Sequence, residues 1–131
     1  MSTRFILFVD AVEQVTIIAS KGETVELPCW KQGTKRPIIA EWKFEKRGQT
    51  AFRVSSNGWI FPRFRRRFSV KSLNNSAEGD FSLRIEHVTR YDVGVYICIV
   101  AHQSSEMMRF LYLDVTGEMH DGYLSFYDLL V

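Results

Sequence analysis

Chemistry-bearing residues are sparse in this 131-residue chain, and few of them converge. The three histidines, His87, His102 and His120, have no spacing that would close on a metal ion. No Gly-x-Ser-x-Gly elbow presents a nucleophile and no glycine-rich loop cradles a phosphate, so no enzyme, cofactor or metal is expected. The densest charge lies in Phe61-Pro62-Arg63-Phe64-Arg65-Arg66-Arg67-Phe68. Guanidinium groups meet sulfate or phosphate oxygens two at a time and aromatic rings stack beside them, which makes Arg63, Arg65 and Arg66 a candidate polyanion patch. The competing reading is a solvated strand edge whose charge deters aggregation. Asn74-Asn75-Ser76 is a glycosylation sequon. The net charge of +2 is too small to argue for nucleic acid from the whole chain. No stretch reaches the ~18–20 apolar residues of a membrane span, so no membrane contact is expected within this chain.

These groups need a scaffold, and the stretch from Asp80 to Cys98 describes it best. Phe81, Leu83 and Ile85 alternate with Ser82 and Arg84, the period of a strand with one face on a core and the other in water. Tyr96, Cys98 and Val100 repeat that spacing after a turn in which Asp92 and Gly94 sit where the chain must tighten. The order Asp-x-Gly-x-Tyr-x-Cys resembles the E–F corner of an immunoglobulin domain. Upstream, Trp42 follows Cys29 by 13 residues and Cys98 follows it by 69, spacings similar to those of variable-type members. The resemblance implies an all-β, V-type two-sheet Greek-key sandwich with one intersheet disulfide, Cys29 to Cys98, over Trp42. It also implies a tyrosine corner at Tyr96 and an ion pair between Arg67 and Asp92. A disulfide in turn implies an oxidising compartment, hence an extracellular protein, secreted or at the cell surface with any anchor outside this chain.

Composition agrees with one domain: 46% of residues are hydrophobic and 14% aromatic, and no long segment carries helical periodicity. Residues 11–116 are expected to form the V-type domain. Residues 1–10 read as a leader remnant or N-terminal extension, because the apolar run Phe5 to Val9 is shorter than the ~7 residues a signal peptide needs at minimum. Residues 117–131 read as a C-terminal tail. Its Ser125 to Leu130 matches the spacing of an inhibitory tyrosine motif, with no membrane crossing to place it in cytoplasm. Along the domain, strand A is expected over Val12–Ala19. Strand B points Val25, Leu27 and Cys29 inward, and strand C does the same with Ala40, Trp42 and Phe44. C′ is placed over Thr50–Val54, C″ over Trp59–Phe61 after a Ser55-Ser56-Asn57-Gly58 turn, D from Arg67, and G over Met107–Val115.

With Tyr96 and Cys98 inward, Ile97 and Ile99 must point out. Ile39, Phe110 and Tyr112 join them on the outer face of strands G, F and C, where a solvated strand would carry polar residues. Glu41, Lys43 and Arg109 are expected to rim this apolar patch. His102 to Met108 is expected to be the F–G loop, with His102, Met107 and Met108 as loop contacts, since methionine adapts to varied partners. Its competing role is to cap the core.

The run Gly79 to Ile85, the following Val88-Thr89 and the missing Phe-Gly-x-Gly of strand G resemble butyrophilin-like costimulatory ligands and related leukocyte receptors. That resemblance implies a recognition module binding a protein partner on another cell in immune recognition or costimulation. The partner would be another immunoglobulin-type protein or the domain itself as a homodimer. A homophilic adhesion or channel-associated module, and a non-rearranged antigen-receptor-type chain, are the alternatives.

Overall fold

Period-two burial decides which way β2, β4, β9 and β10 face, and hence how the sheets meet. In the computed structural model, which describes residues 3–9, 12–31, 39–71, 79–103 and 105–117, the strands are β1 (Thr3–Val9), β2 (Val12–Ser20), β3 (Val25–Leu27), β4 (Ile39–Glu45), β5 (Phe52–Ser56), β6 (Trp59–Ile60), β7 (Phe68–Val70), β8 (Leu83–Ile85), β9 (Gly94–His102) and β10 (Ser105–Thr116). One sheet has the order β1-β2-β10-β9-β4-β5-β6 and the other β3-β8-β7. Strands A to G of the sequence reading, with C′ and C″, are β2 to β10. Their facing surfaces bury Val15, Ile17, Val25, Leu27, Trp42, Phe44, Leu83, Ile85, Leu111 and Leu113. Each such side chain contributes about 1.5–3 kcal/mol relative to exposure. This is the expected all-β sandwich, with Cys29 bonded to Cys98 between the sheets and Trp42 buried beside them.

The corner before β9 is built from side chains that satisfy backbone groups. Tyr96 Oη donates to the Asp92 carbonyl at 2.7 Å. Arg67 grips the Asp92 carboxylate with both terminal nitrogens, each at 2.9 Å. The Thr89 amide also donates to that carboxylate, at 2.9 Å, which caps the short 3-10 turn Arg90–Asp92. Hydrogen bonding to Asp92 raises the pKa of Arg67 further, against the opposing effect of burial. Gly94 is required by space: a Cβ there would lie 2.6 Å from a Phe44 ring carbon and 2.7 Å from the Glu45 carbonyl oxygen.

A second buried polar cluster joins the segments beside β3, β7 and β8 near the disulfide. Asp80, 2% exposed, accepts from Lys71 Nζ at 2.7 Å and from Ser82 Oγ at 2.6 Å, while Ser82 Oγ accepts from the Cys29 amide at 3.2 Å. Trp42 Nε1 donates to the Phe81 carbonyl at 2.8 Å, so the indole is anchored to the facing sheet. Burial pushes the Asp80 carboxyl up, but the bonds from Lys71 and Ser82 outweigh it and leave it below its ordinary value.

Several boundaries differ from expectation. Thr3–Val9, within the stretch read as leader remnant or N-terminal extension, pairs antiparallel with β2 from Thr3↔Ile18 to Val9↔Val12. β2 itself runs parallel to β10, so strand A belongs to the larger sheet. The expected loop from His102 to Met108 is corrected. β9 continues to His102, which pairs with Ser105 at the start of β10, and Gln103 takes φ +45°. A tight reversal lets the hairpin ladder extend through residues whose composition had suggested a loop.

Candidate partner-binding face

The outer face of the larger sheet is assembled by register. Arg53, Lys43, Ile97, Phe110 and Gln14 lie opposite one another across β5, β4, β9, β10 and β2. The next row holds Ser56, Glu41, Ile99 and Met108, and the row on the other side holds Glu45, Val95, Tyr112 and Thr16. Three strands thus bring Ile97, Ile99, Phe110, Tyr112 and Met108 into adjoining positions, with Ile39 at the start of β4. Ile39 is 38% exposed, Tyr112 39% and Met108 47%. Ile97, Ile99 and Phe110 are half-buried by their neighbours.

A β-bulge sets one rim of this surface. The register between β4 and β5 shifts at Trp42/Lys43, so that Val54 and Ser55 both turn inward and are buried. Arg53 then stands opposite Lys43 on the outside and reaches Glu41 Oε2 at 3.2 Å. The pair is solvent-exposed on the arginine side, so it orders the rim more than it stabilises the fold. At the turn between β5 and β6, Asn57 and Gly58 take φ +50° and +88°, and Asn57 Oδ1 accepts from the Ala40 amide at 2.9 Å. The predicted Asn-Gly reversal is therefore also stitched to the start of β4.

At the opposite end of the face, Tyr112 and Val95 join a cleft of about 720 Å³ that Glu45, Tyr91 and Val93 also line. Partial burial raises the Tyr112 phenol pKa, as does the negative Asp114 nearby, while Arg47 pulls it down. Asp114 Oδ1 is buried with no hydrogen-bond partner among the described residues.

Four expected contacts change place. Arg109 does not rim the outer face: it shares the parity of Leu111 and stands opposite inward-facing Cys98, and its Nη1 lies 3.5 Å from the carbonyl of Trp30, in the segment after β3. Met107 packs against the core, as its register with buried Val100 requires. Met108, one residue on, is on the outer face. His102 closes β9, half-buried, next to the hairpin turn. Met108 and Val95 were legible in principle, since each lies two residues from a residue already assigned to the face.

Arg63, Arg65 and Arg66 are all exposed, on the short 3-10 turn Pro62–Phe64 and just after it. They lie toward the β5-β6 edge, away from the apolar rows. Asn74 falls outside the described residues. Among those residues, no group of His, Cys, Asp or Glu is placed to hold a metal, and no helix is long and apolar enough to cross a membrane.

Similarity to known proteins follows this geometry. The human and mouse proteins named Leucine-rich repeat and immunoglobulin-like domain-containing nogo receptor-interacting protein 2 are each 27% identical over 110 residues, which is 82% of this chain. The chain spans 15% of the length of these relatives. The family model for the Immunoglobulin V-set domain matches residues 12–116, from the start of β2 to the end of β10. With the bridged cysteines, the buried tryptophan and the tyrosine corner all in place, the chain belongs to the immunoglobulin V-set family.

Proposed function

We propose that this domain is an extracellular recognition module that binds another immunoglobulin-type domain through the outer face of β10, β9 and β4. The observation that carries this reading is the adjoining placement of Ile39, Ile97, Ile99, Met108, Phe110 and Tyr112 on one sheet face. Exposed β-sheet faces normally alternate to polar residues, and a contiguous apolar patch with charged neighbours marks an interaction site. A broad, gently twisted sheet is complemented best by another sheet, which stacks at about 10 Å with its side chains interdigitated. That favours an immunoglobulin-type partner over a peptide or small molecule. Glu41, Lys43 and Glu106 provide the charged rim that sets orientation.

The likeness to butyrophilin-like ligands supports a partner on another cell and a role in tuning an immune response. Relatives named for interaction with a receptor are in keeping with a protein partner. A homophilic contact is the second reading. Glu41 and Lys43, of opposite sign and on the same face of β4, would pair across a two-fold axis between copies.

The test is a fluorescent tetramer of residues 11–116 on leukocytes and epithelial cells, beside an Ile97→Arg/Phe110→Arg variant. Multivalency makes weak binding visible. Staining lost in the variant is the expected result. Staining that survives it overturns the assignment of this face, and no staining with a dimeric wild type shifts the reading to self-association.

A further inference from the structure

Charge is distributed unevenly along this chain. Residues 43–67 hold eight Lys and Arg and a single acidic residue, Glu45, whereas the rest of the chain holds nine basic and fourteen acidic residues. A net charge of +2 therefore conceals a strongly positive segment on an otherwise negative protein. The fold gathers that segment at one end and edge of the sandwich, in the end of β4, β5, β6 and the 3-10 turn that follows.

Within it lies a cleft of about 350 Å³ whose lining includes Lys46, Arg63, Arg66 and Arg67, with Tyr91 and Asp92. The one carboxylate in that lining is committed, since Asp92 accepts two bonds from Arg67 and one from the Thr89 amide. Among the described residues Arg53, Arg67, Lys71 and Arg84 enter ion pairs, whereas Lys46, Arg63 and Arg66 enter none. No described carboxylate thus pairs with those three cations.

The guanidinium groups are also held in place. Arg63 lies over Phe52 at 4.2 Å, Arg53 over Phe61 at 4.8 Å and Arg65 over Trp59 at 5.5 Å. An arginine lying against a ring keeps its N–H edge free to meet oxyanions and loses less entropy on binding them. A patch meant only to keep a strand edge soluble has no need of such ordering.

We propose that this edge is a binding site for a sulfated linear polysaccharide. Lys46, Arg63 and Arg66 form its centre, and Arg65 extends it toward β6. The arginine–ring contacts choose between polyanions. Single-stranded nucleic acid is held without sequence preference by bases stacking on free aromatic faces. Here Phe52, Phe61 and Trp59 each already carry an arginine. Sulfate groups spaced along a sugar chain need only the N–H edges that remain.

The test uses immobilised heparin and the full chain. Arg63→Glu/Arg66→Glu is compared with a control of equal charge change, Lys21→Glu/Arg84→Glu, whose residues are exposed and lie outside the segment. Thermal melts confirm that both are folded. The expected result is that wild type and control are retained and elute only with added salt, while the patch variant passes through. Displacement of bound wild type by soluble heparin but not by its desulfated form is expected as well. Equal losses in the two variants would reduce the effect to net charge and overturn the site, as would a wild type that is not retained. Competition by single-stranded DNA as strong as that by heparin would overturn the polysaccharide assignment.

Discussion

The phenol of Tyr96 is a small group with a large structural task. It is buried, its pKa is raised well above the ordinary value mainly by that burial, and its one hydrogen bond closes the corner on Asp92. Tyr96→Phe keeps the ring stacked on Phe44 at 4.5 Å and removes the bond alone. A loss of about 1–2 kcal/mol is expected in urea unfolding, since the Asp92 carbonyl is left without its partner. Asp80 acts through charge. Its carboxyl is held below the ordinary value, so its contribution is fully present above the unfolded-state pKa of about 3.9 and is lost as pH falls through the lower folded-state value. Acid titration of stability is expected to show a limb below about pH 4 that Asp80→Asn flattens. An unchanged acid limb in that variant would show that the Lys71–Asp80 pair is not what protonation breaks.

Strands β9 and β4 carry the architecture because each serves both faces of one sheet. Their inner residues, Trp42, Phe44, Tyr96, Cys98 and Val100, make the core, and their outer residues make the proposed interface. The disulfide joins β9 to the segment just after β3 across 69 residues. By the chain-entropy model a loop of that length stabilises the fold by about 4 kcal/mol. Cys29→Ala/Cys98→Ala is expected to lose that much in denaturant unfolding, with the slope against denaturant raised because the unfolded chain becomes less compact. The bulge in β5 works at the same scale. One extra residue, Val54, is what puts Arg53 on the outside beside Glu41 rather than in the core.

At the scale of the whole molecule, the apolar face and the basic edge are separate surfaces on one sandwich. The face residues lie outside the core, so Ile97→Arg/Phe110→Arg is expected to melt within a few degrees of wild type while losing its partner. Concentration decides between the two readings of that face. If copies pair, the wild-type melting temperature rises with protein concentration and the variant's does not. A wild type whose melting is independent of concentration favours a different immunoglobulin-type partner.

The alternation of Phe81, Leu83, Ile85, Tyr96 and Cys98, and the spacing of Cys29, Trp42 and Cys98, determined the sandwich from the sequence, because burial in a strand has a period of two and a corner needs particular side chains. The same parity determined that Ile97, Ile99, Phe110 and Tyr112 face outward. Turn length and register were not legible in this way. Parity does not say where a ladder ends, and so His102 to Met108 read as a loop although the hairpin runs through it. Parity does place Arg109 with Leu111, but the attraction of a charged residue for a rim outweighed it in the reading. Tertiary structure alone decided that Lys46, Arg63 and Arg66 share a cleft and that three arginines each lie on a ring, because those contacts join segments whose relative placement is set by a bulge and a 3-10 turn.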